Sequence, residues 1–191
     1  VTRDFVTVHR GSILDVECDA VVSPANSFGF MDGGIDFIYM DYFGKDIQLK
    51  VRRQIFDYHH GELIVGNADI VETGDSKIPY LIAAPTMRVP MVLHDSVNAY
   101  LAARAVFILV SSGLFTSGAK AGEKISDHVK TVAMPGLGTG VGNIHSKTCA
   151  LQVRTAINDI LLRQYIMPKS WAEATENHQL LYTNQPKKLQ H

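Results

Sequence analysis

The chain has 191 residues, 46% of them apolar and 19% charged, an ordinary balance for one globular domain with a proper core. Its formal net charge is −1 and it contains no basic stripe, which argues against a dedicated nucleic-acid or membrane-surface protein. The Lys187-Lys188 pair near the end is too short to count. The cysteines Cys18 and Cys149 lie far apart without CxxC spacing and read as free thiols of a reducing compartment. No basic segment followed by an apolar core opens the sequence, and the longest apolar run, Ala99 to Val110, is interrupted by Arg104. The expectation is a soluble, cytoplasmic protein with no membrane partner.

In chain order, Phe5 to His9 alternates apolar and polar positions and predicts a strand that Gly11 breaks. Ala20-Val21-Val22 is a short apolar run of the kind found in a strand buried on both faces. Helices are predicted over Ile35 to Phe43 and Asp46 to Tyr58. In the second, Ile47, Val51 and Ile55 recur every four residues, with Lys50, Arg52, Arg53 and Gln54 assigned to solvent. Leu63-Ile64-Val65, Ala68 to Val71 and Tyr80 to Ala84 read as strands, the first two as a hairpin across Gly66-Asn67. A buried helix is predicted from Asp95 to Ser112, then a polar surface connection from Gly118 to Asp127.

Val129 to Met134 reads as a strand, Ser146 to Arg163 as an amphipathic helix, and Ser170 to Leu181 as a shorter helix after Pro168. One domain over 1–182 is expected, with the polar tail 183–191 frayed. Strands alternating with helices imply an α/β layered fold around a mostly parallel sheet, with ligands beyond the carboxyl ends of the strands.

Two glycine-rich loops fall at such positions. The first, Ser23 to Asp36, leaves a strand and ends in Gly33-Gly34 at a helix start; the second is Gly136-Leu137-Gly138-Thr139-Gly140-Val141-Gly142-Asn143. Exposed N–H groups and the positive end of a helix dipole make the first a place for an anion such as a phosphate. The second is not a Walker A loop, because no Lys follows Gly142, and not GxGxxG, because Asn143 stands where the third Gly belongs. It keeps the mechanics of close backbone approach, and the pair suggests a phosphate-bearing ligand held between them.

Asn26 reads either as a brace of its own loop or as a hydrogen-bonding partner for a sugar hydroxyl. Asp36, in the first turn of a helix, is explained by the dipole alone at roughly 0.3–1 kcal/mol. The scattered histidines lack metal-ligand spacing, so no metal and no cofactor are expected, and no GxSxG elbow marks a serine hydrolase.

From about Phe5 to Arg163 the chain resembles the macrodomain family of ADP-ribose-binding α/β/α modules. The resemblance rests on Arg10-Gly11-Ser12-Ile13, Asp19-Ala20-Val21-Val22-Ser23-Pro24-Ala25-Asn26, Gly33-Gly34-Ile35-Asp36 and Gly138-Thr139-Gly140-Val141. It implies a three-layer α/β/α fold with a mixed, mostly parallel sheet. It also implies a diphosphate held by Gly33, Gly34 and Ile35 on one side and by Gly138, Thr139, Gly140, Val141 and Gly142 on the other. Asn26 would bind the distal ribose, and Gly11, Ser12 and Ile13 would lie beside the adenine. In the hydrolytic branch, the carboxylate matching Asp36, with Asn26, would orient a water that releases ADP-ribose from a protein or an ester, or would act on ADP-ribose phosphate.

The implied partners are ADP-ribose or a related nucleotide metabolite, alone or on a modified protein. Three departures bear on this: Ser12 replaces the Asp that faces the adenine, Ser23 the first Asn of the usual pair, and Asp32 a Gly. With these changes a scaffold, or a site for another nucleotide-like metabolite, stays open beside a binder and a hydrolase. Gly142 and Ile144 stand where aromatics often cover the distal ribose, a role left to Phe28 or Phe30.

Overall fold

The computed structural model describes residues 4–24 and 26–187; Ala25 of the first glycine loop and the end of the tail, 188–191, lie outside it. Its centre is β1 (Ala20–Ser23), whose residues are all buried. It pairs in parallel with β3 (Tyr80–Ala83) on one side and with β4 (Val132–Ala133) on the other. β2 (Asp69–Glu72) adds antiparallel to β3, so the 4-stranded order is β2-β3-β1-β4.

Successive strand residues point to opposite faces, and each face has its own apolar cluster. Ala20, Val22 and Ile82 pack against α3 (Asn98–Ser112) and α5 (Ser146–Ala156) through Ala99, Ala102, Val106 and Cys149. Val21, Leu81 and Ala133 pack on the other side against α1 (Gly34–Phe43) and α2 (Asp46–Tyr58) through Tyr39, Ile47, Val51 and Ile55. This is the expected three-layer α/β/α arrangement. Val21, Val22, Leu81 and Ile82 are 0% exposed, each contributing about 1.5–3 kcal/mol by burial.

Several elements differ from expectation, each for a local reason. Phe5 to His9 forms no ladder, and Phe5 and Val8 are exposed, so burial does not hold the segment extended against the sheet. The strand and hairpin expected at 63–65 are replaced by a turn, because Leu63 donates its N–H to Ser27 O and Ile64 O accepts from Asn67. Gln54 is not solvent-facing: it lies seven residues after Ile47 on the apolar stripe, is 6% exposed, and donates to the buried Asp69 carboxylate and to Thr116. α3 starts after the expected Asp95, which takes a left-handed φ of 50°.

β4 is shorter than Val129 to Met134 because the Asp19 carboxylate takes the N–H groups of Lys130 and Thr131 and the Thr131 hydroxyl. A short helix, α4 (Ile125–His128), ends the polar connection. α5 runs into a π turn at Ile157–Leu161 rather than continuing to Arg163, whose φ is 54°. The last helix, α6 (Trp171–Gln179), is followed by a clamp in which the Gln179 amide bonds both the N–H and the C=O of Lys187.

The two-helix layer is fastened by one buried amide. Gln152 on α5 is 0% exposed, accepts from Tyr100 N–H at 3.0 Å and donates to Ser96 O at 2.7 Å and Leu181 O at 3.2 Å. Replacing it with Leu leaves those backbone groups unsatisfied in a dry interior, at about 1–3 kcal/mol each before relaxation. Gln152→Leu is therefore expected to lower the stability to urea unfolding by roughly 2–4 kcal/mol.

Candidate functional site

Parallel pairing sends the carboxyl ends of β1, β3 and β4 to one edge of the sheet, so the loops that follow them converge there. Between them lies a cleft of about 320 Å³. The loop after β1 supplies Asn26, Phe30 and Asp32 to Asp36; the loop after β3 supplies Thr86, Met87 and Pro90; the loop after β4 supplies Gly136 and Gly138 to Gly142.

Of the site residues expected from sequence, Asn26, Gly33, Gly34, Ile35, Asp36, Gly138, Thr139, Gly140, Val141 and Gly142 all line this cleft. Gly11, Ser12 and Ile13 do not. The Ser12 hydroxyl instead caps a short 3-10 turn by accepting from Leu14 N–H, and Ile13 packs against the α1/α2 cluster.

The backbone explains the glycines. Gly34 opens α1 with a φ of 58°, and a Cβ on Gly33, Gly34 or Gly140 would meet nothing within 4 Å, because these positions border the open cleft. Among the described residues, no acceptor takes the N–H groups of Gly34, Ile35, Gly140 or Val141. Gly138 and Gly142 serve packing: a Cβ on Gly138, at φ 68°, would come within 2.7 Å of Ile144 Cδ1, and one on Gly142 within 2.5 Å of Gly138 O. The turn closes through Ile144 N–H to Gly138 O and Asn143 N–H to Gly140 O, and it is tied down by Leu93 N–H to Gly142 O at 2.7 Å.

Asn26 braces its own loop. Its side-chain oxygen accepts from Phe28 and Phe30 N–H, and its amide donates to Phe30 O at 2.8 Å, leaving one amide hydrogen over. Of the aromatics in this loop, Phe30 lines the cleft and Phe28 does not. The Arg52 guanidinium covers Phe30 at 4.1 Å from the ring centre and donates to Phe28 O.

Asp36 is 4% exposed and accepts a short hydrogen bond from the Ser23 hydroxyl. Burial pushes its carboxyl up to about 7, with the Ser23 hydrogen bond pulling the other way. Ser23, one of the departures noted above, is the residue that holds the carboxyl in place. Asp32 is exposed at the rim.

Sequence reasoning missed Thr86, Met87 and the Ser23–Asp36 contact. Thr86 staples two loops: its N–H and hydroxyl both donate to Pro24 O, while its own C=O accepts from Asn98. The available signal was Ala84-Pro85-Thr86, a strand end beside β1 that the linear reading treated only as a break.

The sequence model of the Macro domain family matches residues 22–153, and the chain belongs to that family. An uncharacterised protein of Aquifex aeolicus is 30% identical over 145 residues, spanning 76% of each chain. One of Aeropyrum pernix is 32% identical over 139 residues, covering 73% of this chain and 63% of its own. The fold is similar to the macrodomain of Mycobacterium tuberculosis DarG, with a TM-score of 0.63, 18% identity and coverage of 80% of this chain and 90% of that one. It is also similar to a variant of the Oceanobacillus iheyensis macrodomain solved with ADPR, with a TM-score of 0.62, 15% identity and coverage of 82% and 77%. Among the described residues, no helix is long and apolar enough to cross a membrane, and no group of three or more His, Cys, Asp or Glu is placed to hold a metal ion.

The raised Asp36 carboxyl has a stability consequence with a definite sign. Below about pH 4 both folded and unfolded chains keep the proton. From there to about pH 7 the unfolded chain gives it up first, so stability falls as pH rises and levels off above. The loss is at most roughly 4 kcal/mol. Asp36→Asn, which keeps an acceptor for Ser23 without the charge, should be more stable than wild type near pH 8 and lose that advantage near pH 4 in thermal unfolding.

Proposed function

We propose that the cleft binds ADP-ribose or a close derivative, with the diphosphate between the N terminus of α1 and the 138–142 loop. The observation that carries this reading is the pair of opposed backbone surfaces. Gly34 and Ile35 on one side and Gly140 and Val141 on the other have N–H groups with no acceptor among the described residues, and a Cβ at Gly34 or Gly140 would meet nothing within 4 Å. Such surfaces suit phosphoryl oxygens, which accept several hydrogen bonds at once. The Oceanobacillus iheyensis neighbour was solved with ADPR, and that of Thermosipho africanus DarTG in complex with ADP-ribose. The remaining Asn26 amide hydrogen would reach a ribose hydroxyl, with Phe30 as an apolar wall beside it.

A second reading is hydrolysis of an ADP-ribosyl linkage or of ADP-ribose phosphate, favoured by a buried carboxyl in the cleft that titrates near neutrality. Asp36 would then exchange a proton with the attacking water, and Asn26 would hold the sugar. Equal release of ADP-ribose from a modified protein by wild type and Asp36→Ala, at the background rate, would remove it and leave a binding module.

Titration calorimetry with ADP-ribose tests the first reading, and no heat at millimolar ligand would overturn it. Gly140→Glu is the informative variant, because a Cβ there meets open space and the change adds a carboxylate to the lining of the cleft. It should retain its unfolding midpoint and weaken ADP-ribose binding by roughly a hundredfold or more. Gly34→Glu should do the same with some added backbone strain from the left-handed φ.

A further inference from the structure

The cleft has a charge problem. Its ionisable lining residues are Asp32 and Asp36, both acidic, and no Lys, Arg or His lines it among the described residues. Asp32 is exposed, so water screens it. Asp36 is not. From β1, Ser23 donates to its Oδ1; from α1, Tyr39 is buried nearby with its hydroxyl donating to Val22 O at 3.2 Å; and the Cys18 thiol, itself buried, lies behind Tyr39. None of these groups is a cation.

A charged Asp36 would stand in the same helical turn as the N–H groups of Gly34 and Ile35, within about 5 Å of rise. A ligand anion and this carboxylate would then compete for one helix N terminus, and burial keeps water from screening the carboxylate.

We propose that the Ser23–Asp36 pair couples anion binding in the cleft to protonation of Asp36, so that an anionic ligand seated on the N terminus of α1 takes up one proton at this carboxyl. The inference rests on the diphosphate reading above. The proton comes from solvent and forms an O–H bond at the carboxyl; Oδ1 already accepts from Ser23, which leaves Oδ2 as its place, and no bond to the ligand is made or broken. Burial brings the carboxyl to about 7 without ligand, so both forms are populated where proteins work.

Linkage fixes the sign. A bound anion raises the carboxyl further, and by reciprocity loss of the proton weakens the anion. Affinity is flat below the carboxyl's own titration and falls above it, with a slope approaching tenfold per pH unit. Ser23 sets where the fall begins, because its hydrogen bond favours the charged form.

The test is calorimetric titration of ADP-ribose, whose diphosphate diester does not titrate in this range, at about pH 6 and about pH 8.5. Each pH is run in two buffers of different ionisation enthalpy, which counts protons directly. Wild type is expected to bind roughly tenfold or more weakly at the higher pH, with proton uptake between. Asp36→Asn should show neither the pH dependence nor the uptake. Ser23→Ala should move the fall to higher pH, a displacement that a merely structural role would not produce.

ADP-ribose binding of equal strength at both pH values, without proton uptake by wild type, overturns the inference while leaving the binding site intact. So does a pH dependence that persists in Asp36→Asn. Absence of binding at both pH values overturns the diphosphate reading, and the coupling with it.

Discussion

β1 is flanked on both sides by strands running in its own direction, and that arrangement sets the site. A parallel neighbour cannot be reached by a tight turn, so each connection crosses over a face through helices. Those helices bury Ala20 and Val22 on one side and Val21 on the other. The same pairing puts the ends of β3, β1 and β4 at one edge, where residues far apart in sequence share a cleft. Ser23 belongs to this geometry as well as to the site. It is the last residue of β1, in register with Ala83, so its side chain is aimed by the ladder and meets the first turn of α1 directly above it.

How much of this was legible in the sequence depended on how many residues carried each signal. The helices at 34–43, 46–58 and 98–112 were readable because a repeat over many residues averages out exceptions. Gln54 was such an exception, a polar residue on the apolar stripe whose partners Asp69 and Thr116 come from other parts of the chain. Strands of two to four residues carry too little pattern for that averaging. Phe5 to His9 and Leu63 to Val65 have the composition of strands, yet a strand exists only where a neighbour supplies the ladder. The two glycine loops and Asp36 were visible because their chemistry is local. Thr86 and the Ser23–Asp36 bond were not, since both depend on which strand lies next to which.

The site therefore presents backbone N–H groups without acceptors beside acidic side chains, and no cation lines it among the described residues. A helix N terminus favours an anion by about 0.3–1 kcal/mol when exposed and up to ~2 kcal/mol when partly buried, and hydrogen bonds from N–H groups to a charged acceptor add about 1.5–3 kcal/mol each. Several such bonds outweigh one screened carboxylate at the rim. They do not comfortably outweigh an unscreened one at the floor, and the proposed coupling places the balance on the buried Asp36 rather than on the exposed Asp32.

The walls of the cleft are held by hydrogen bonds of the protein's own. Asn26 spends three of its hydrogen-bonding positions on its own loop, Gln48 of α2 accepts from Met31 N–H at 2.7 Å, and Arg52 of α2 both covers Phe30 and donates to Phe28 O. Across the cleft, Leu93 and Thr139 fasten the second loop. A site fixed in this way loses little conformational freedom on binding, so more of the interaction energy remains as affinity. It also has little room to relieve a charge conflict by moving backbone. On the proposed coupling, the adjustable element at the floor of the cleft is a proton rather than a loop, and the Ser23 hydroxyl, which donates to the carboxylate while keeping its own lone pairs, suits either state of Asp36 without a change of fold.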